Sequence, residues 1–384
     1  MTAPGPAGPG PRGSVLSASF ALVAAAALAV SLASSVATVV VGVVVLGVLH
    51  AILELRYVAG RFAGLALRLG RPFLRTVALL LAGIVVSRLL GGVLGRPADI
   101  AEILLGYAIV GLALPHVLAP TRRNVGWALT AAAAALSLLW PDQHFLVLAH
   151  LHLVAVVAFL WEWSRRLPSV RTRILFRSVQ LAWAMVVPVA VLLGLADAWL
   201  GTDPAFVRSL VDDGRAVVAA IVPPGEAGTV LGARLVTVFA FLQTMHLLTW
   251  VVFFPHRAPD AAAGLEELFP WLTGARVWAI GFLAAAFFAV VLVGDYSSGV
   301  LLQDALTLPH VYVEVPLLLA LLARSPLTSE SDHPEPAPTT AQGTPQAPPE
   351  VPVQNPLAHA ANASYGRGSS KEGGDPRSDF FRNV

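Results

Sequence analysis

The sequence predicts an all-α polytopic membrane protein of about ten transmembrane helices with a disordered C-terminal tail, and three observations carry that prediction. The 384 residues are 56% hydrophobic and only 12% charged, with a mean hydropathy of +0.73, which soluble globular domains do not approach. Apolar runs of about 20 residues, the length of one helical crossing, recur between short polar breaks. The two ends differ from the rest: residues 1–14 are rich in Pro and Gly, and residues 325–384 in Pro, Ser, Gly and acids without apolar periodicity. Both read as disordered tails flanking a helical domain over 15–324.

From Val15 to His50 the chain is too long for one span and divides at Ser31 to Ser35. The first half also has the pattern of a signal peptide, with Ser35-Val36-Ala37 as a small-residue cleavage site. Further apolar segments fall at 72–94, 99–119, 124–140, 143–163, 174–200, 229–254, 276–294 and 299–323. Arginines cluster in alternate loops: Arg56 to Arg75 after the second span, Arg122 and Arg123 after the fourth, Arg165 to Arg173 after the sixth, Arg257 after the eighth. The intervening loops carry more acid, including Asp99, Asp142, Asp197 and Asp295. This alternation predicts a multi-pass protein of the cell (inner) membrane with both termini cytoplasmic. In the loop 201–228, Phe206, Leu210, Val211, Val217, Val218 and Ile221 recur at helical spacing and predict a helix lying on the membrane. A shorter one is expected around 265–271.

Composition also excludes chemistry. Without cysteine there are no disulfides, thiolate nucleophiles, zinc-thiolate sites or iron-sulfur clusters, so a metal has only His, carboxylate or backbone oxygen to bind. Walker-type glycine loops, HExxH and Gly-x-Ser-x-Gly elbows are missing. A net charge of +2, with arginines concentrated in short loops, points to membrane orientation and not to a nucleic-acid partner.

The candidate site comes from ionisable residues inside apolar runs, which are costly in lipid and mark function. His310 and Glu314 are four apart and share a helix face, and His50 and Glu54 repeat that spacing. On the predicted topology His50, His116, His150, His152, His246 and His310 all lie in even-numbered spans, in the central or inner part of the bilayer. Neutral imidazoles converging from several helices suit a metal ion or a haem. Glu54 and Glu314 can orient neighbouring imidazoles, though Glu54 has an alternative partner in Arg56 or Arg61.

Leu306-Thr307-Leu308-Pro309-His310 followed by Glu314 resembles the last motif of the bacterial Brp/Blh-type beta-carotene 15,15'-dioxygenases, and Leu49-His50-Ala51-Ile52-Leu53-Glu54 is similar to their first. The resemblance implies an integral membrane enzyme with a His-held non-haem Fe(II), cleaving beta-carotene with dioxygen to retinal. It implies His50 and His310 as iron ligands, with His246 as a later-span ligand and a further one among His116, His150 and His152. The metal set carried forward is His50, His152, His246 and His310, with Glu54 and Glu314 as supporting carboxylates. Trp250 stands where the family has a second His one turn on, and Leu49-His50-Ala51 replaces its usual Pro-His-Gly. The expected function is therefore oxygenase cleavage of a lipid-soluble apolar polyene, with dioxygen and membrane lipids as the other partners. The alternative is a protein that binds haem or a metal ion for redox or transport.

Overall fold

The computed structural model describes residues 12–202, 205, 207 and 214–323, all within one compact unit spanning Met1–His333. The regular structure among these residues is helical throughout, as a chain must be when its backbone groups have no water to bond. In order the helices are α1 (Arg12–Ala33), α2 (Ser35–Arg61), α3 (Ala63–Leu94), α4 (Arg96–Val117), α5 (Pro120–Leu139), α6 (Pro141–Trp163) and α7 (Val170–Leu192). They continue with α8 (Arg215–Ile221), α9 (Val230–Arg257), α10 (Pro259–Leu268), α11 (Gly274–Gly294), α12 (Tyr296–Thr307) and α13 (Pro309–Leu322).

Among the described residues nine segments are long and apolar enough to cross a membrane, with α12 and α13 forming one of them. The difference from ten lies in α5. It forms, and it runs antiparallel to α4, since Gly126 packs on Leu118 while Ser137 bonds Tyr107. Arg122, Arg123 and Asn124 in its first turns lower its apolar character below that of its neighbours. The N-terminal tail is also shorter than expected, because residues 12–14 already belong to α1. The expected tail over 325–384, like residues 1–11, lies outside the described residues.

Local sequence explains the breaks. Ser34 leaves helical geometry between α1 and α2, where the serine-rich stretch predicts a boundary. Gly70, at φ 79, followed by Pro72, interrupts α3, so its membrane part starts close to the expected residue 72. Pro309 separates α12 from α13 for the same reason: it has no amide to continue the ladder.

The bundle is built around α2 and α9, the most enclosed spans, with 56% and 67% of their apolar windows buried. Glycines on α2 permit the close approach. Gly42 faces Gln243 of α9, Gly47 faces Gln303 of α12, and Gly60 lies against the Ala261 carbonyl of α10. At the C-terminal ends of α2 and α6, Arg56 pairs with Glu266 at 3.1 Å, Arg61 with Glu162 at 2.5 Å, and Arg166 with Asp260 at 2.7 Å. The arginine-rich loops after these helices therefore share one face of the bundle. Arg166 beside it holds the Asp260 carboxyl below its ordinary range.

At the opposite face α8 packs its Val217 and Ile221 against Val36 of α2 and Val236 of α9. The described part of the expected surface helix is thus a cap on the bundle; Phe206, Leu210 and Val211 lie outside the described residues. On the arginine-rich face the shorter helix expected around 265–271 forms earlier, as α10 over Pro259–Leu268, seated on α2 through Gly60 and Gly264.

The α2–α10 contact makes a prediction whose sign separates packing from helix propensity. Alanine normally stabilises a helix interior relative to glycine by about 1 kcal/mol. At Gly60 an added methyl meets the Ala261 carbonyl, whereas at Gly64 it meets nothing within 4 Å. Gly60→Ala is expected to lower the thermal unfolding midpoint of the detergent-purified protein, by the equivalent of ~1–3 kcal/mol of overpacking, and Gly64→Ala to leave it unchanged or raise it.

Candidate metal centre

Four helices deliver the central cluster. α2 contributes His50 and Glu54, α6 His152, α9 His246, and α13 His310 and Glu314. Ring centroids of the imidazoles are 4.3 Å apart for His152 and His246, 4.8 Å for His152 and His310, 5.3 Å for His50 and His246, and 5.4 Å for His50 and His310. Ligand atoms of His50, Glu54, His152 and His310 all lie within 4.8 Å of one another. Glu54, Glu314 and His246 are 1%, 2% and 1% exposed.

Hydrogen bonds set which nitrogen of each ring faces the centre. After Pro309 the Val311 amide donates to Leu308, and the Thr307 carbonyl accepts from His310 Nδ1. His50 Nδ1 approaches the Leu46 carbonyl at 3.4 Å. His152 Nδ1 donates to Glu314 Oε2 at 2.7 Å. The Thr307 and Leu46 carbonyls can only accept, so Nδ1 of His310 and of His50 carries the hydrogen and Nε2 presents a lone pair; His152 does the same when Glu314 is ionised.

His152 Nε2 and His310 Nε2 face each other at 3.3 Å, a contact that either a cation between two lone pairs or a single shared proton satisfies. Two lone pairs at that distance repel unless an electrophile lies between them. The separation also matches two nitrogens held by one ion at about 2.0–2.1 Å with roughly 100–110° between them. Glu54 Oε2 points into the same centre, 3.7 Å from His246 Nε2 and 3.8 Å from His310 Nε2. It has no hydrogen-bond partner, and neither have His246 Nε2 or Glu314 Oε1. A buried carboxylate without a cation costs of order several kcal/mol, so two acids among neutral imidazoles are consistent only with a cation or with protons. The cluster is a buried His/Glu group that can hold a metal ion, with nitrogen and oxygen donors suited to Fe, Zn, Cu or Ni. Its rings contact one another directly, which suits a single ion better than a flat macrocycle.

The structure brings His50, His152, His246 and His310 together with both carboxylates, and separates the other described histidines. His150 turns away, bonding the Leu146 carbonyl at 2.8 Å and meeting Phe239. His116 is exposed beside Phe73, His144 bonds Ser137, and His256 is exposed on the arginine-rich face. Arg56 and Arg61 pair with Glu266 and Glu162 and leave Glu54 to the cluster. The two acids differ in place: Glu314 supports His152 from behind, while Glu54 faces the centre itself.

Two supporting groups escaped sequence reasoning. Trp250, Tyr57, Phe159 and Phe254 form an aromatic layer next to the cluster, with Trp250 6.3 Å from the His246 ring. Tyr312, between His310 and Glu314, donates to Glu102 Oε1 at 2.9 Å on the far side of α13, and Arg88 binds the same oxygen at 2.7 Å. Gly106 makes room for the Tyr312 ring. The available signal was two charged residues, Arg88 and Glu102, within apolar runs.

No family model matches this chain, and no curated protein and no solved structure is detectably similar to it.

Elemental analysis of the detergent-purified protein is expected to show one transition-metal ion per chain. His152→Ala and His310→Ala should abolish it, whereas His150→Ala, two residues from His152 but outside the cluster, should retain it. Glu314→Gln is expected to weaken metal affinity about 10- to 100-fold, the usual cost of removing a carboxylate that orients a ligating imidazole.

Proposed function

We propose that this protein is an integral membrane oxygenase that holds a non-haem ferrous iron at the His/Glu cluster and cleaves an apolar polyene of the beta-carotene type to retinal. The observation that carries the reading is the convergence of imidazole nitrogens and a carboxylate oxygen from four helices on one buried point, with His152 Nε2 and His310 Nε2 at 3.3 Å. The similarity of the His50–Glu54 and Pro309–His310–Glu314 motifs to the Brp/Blh-type dioxygenases gives that metal centre its proposed chemistry.

His50, His152, His246 and His310 would hold the iron, which when bound supplies dioxygen activation. The chain's own residues do the positioning. Glu314 keeps His152 in the tautomer that offers Nε2, and the Thr307 carbonyl does the same for His310. Glu54, facing the centre with an unpartnered oxygen, is placed to balance the ion's charge or to accept a proton from a bound water. Around the cluster, Leu49 and Leu53 of α2 pack with Val277 and Ala285 of α11, so the neighbourhood is apolar and excludes bulk water. A hydrocarbon substrate can reach such a site from the bilayer without crossing an aqueous phase.

Expression in cells that accumulate beta-carotene, followed by pigment chromatography, tests the reading. Retinal is expected from the wild type, none from His310→Ala, and wild-type levels from His150→Ala at equal protein abundance. Retained colour with well-expressed, iron-loaded protein would overturn beta-carotene cleavage. A Soret band in the purified protein, lost in the His variants, would instead establish a haem protein.

A further inference from the structure

A cavity of about 560 Å³ lies between α1 and α9, lined by none of the cluster residues and reaching the arginine-rich face at Arg257. That volume is within the range of small-molecule sites, about 300–1,000 Å³. Leu16 and Phe20 of α1 and Leu248 and Val252 of α9 form its apolar walls, and His256 and Arg257 line it too. Phe20 and Phe253 meet edge to face at 5.2 Å. Local sequence shapes this wall: over Thr249–Phe253 α9 widens into a π-turn, and Thr249 Oγ1 bonds back to the Met245 carbonyl at 2.7 Å. Val252, 51% exposed, leaves the groove open sideways to lipid.

On the same face Arg56, Arg61 and Arg166 each have a carboxylate partner, whereas among the described residues no carboxylate pairs with Arg257. Its backbone is anchored, because the Arg257 carbonyl accepts from Trp163 Nε1 at 3.0 Å. His256 Nδ1 is engaged by the Val252 carbonyl at 2.7 Å, which leaves Nε2 for an outside partner. Arg173, whose side chain bonds the Leu167 carbonyl, stands at the start of α7 next to Thr172, which packs on Gly13 at the start of α1.

We propose that this groove is a binding site for an anionic phospholipid of the leaflet on the arginine-rich side. One acyl chain lies along Leu16, Phe20 and Val252, and the phosphate is recognised by Arg257 and His256. The apolar walls exclude a soluble anion as the natural occupant, since it would bury nothing there. The unneutralised arginine favours an anionic headgroup over a zwitterionic one, as basic pockets between transmembrane helices do. The site is independent of the metal centre and of the reaction proposed for it.

The test uses the full chain in detergent, titrated with phosphatidylglycerol, phosphatidylcholine or inorganic phosphate. Retained lipid is read by native mass spectrometry and stability by the thermal midpoint. Phosphatidylglycerol is expected to be retained at one molecule per chain and to raise the midpoint, with phosphatidylcholine and phosphate doing neither. Arg257→Gln should weaken retention about fivefold, the weight of one basic residue at a membrane surface, and Arg257→Lys should largely preserve it. Val252→Trp, which fills the groove from its lipid side, should abolish retention in a protein that remains monodisperse. Equal retention of both lipids, or selectivity undiminished in both Arg257→Gln and Val252→Trp, would overturn the assignment. So would equal stabilisation by inorganic phosphate.

Discussion

Two imidazole nitrogens that face each other, His152 Nε2 and His310 Nε2 at 3.3 Å, set the terms for the rest of this structure. Such an arrangement persists only if a cation or a shared proton lies between them and if each ring is kept from turning its Nδ1 inward. The second condition is met by three different devices: a carboxylate behind His152, the Thr307 carbonyl behind His310, left free because the Val311 amide bonds Leu308, and a helical carbonyl behind His50. The centre thus depends on backbone defects and remote acids as much as on the histidines. In a medium where an unpaired charge costs several kcal/mol, those supports are as necessary as the ligands.

The surrounding bundle can be understood as the means of bringing four helices to one point without leaving polar backbone in lipid. α2 is central because it is notched: Gly42 and Gly47 let Gln243 and Gln303 lie close, and Gly60 lets α10 seat against its end. α13 is held from its other side by Tyr312 reaching Glu102 and Arg88, an ion pair between α3 and α4. A rotation of α13 that broke this contact would also swing His310 and Glu314 from the centre, since all three residues lie on one short helix. The aromatic layer of Tyr57, Phe159, Trp250 and Phe254 then separates the cluster from the arginine-rich face, where α2, α6 and α10 are tied by ion pairs. The cluster is thereby kept in an apolar interior, where neutral imidazoles and a paired charge are tolerated and bulk water is excluded.

The chain also separates two kinds of intramembrane polarity. At the centre, donors and acceptors are arranged around a common point and several remain unpartnered within the protein. Elsewhere, several polar side chains are consumed locally: Thr237, Thr244 and Thr249 bond back to carbonyls of their own helix, and Ser137 bonds both Tyr107 and His144. What sets the centre apart is that its unpartnered atoms face one another across helices, as Glu54 Oε2 faces His246 Nε2 at 3.7 Å. His150 illustrates the difference, because it shares a helix with His152 yet spends its Nδ1 on Leu146 and packs against Phe239.

What the sequence by itself determined was the class of the fold, the spans and the identity of the chemically costly residues. Burial of peptide groups in lipid admits only helices, and hydropathy over about 20 residues records where they cross. Charge placement within apolar runs flagged His50, Glu54, His310 and Glu314, since local i, i+4 spacing is a property of the helix alone. α5 was legible as a helix but not as the weakest of the apolar segments, because its arginines sit at its start. Only the tertiary structure decided that His152 and not His116 or His150 completes the group, that Glu54 faces the centre while Glu314 stands behind a ligand, and that Arg88, Glu102 and Tyr312 brace α13. Each of those depends on how helices distant in sequence rotate against one another. That rotation is set by glycine notches and interhelical packing, for which one-dimensional periodicity carries no partner information.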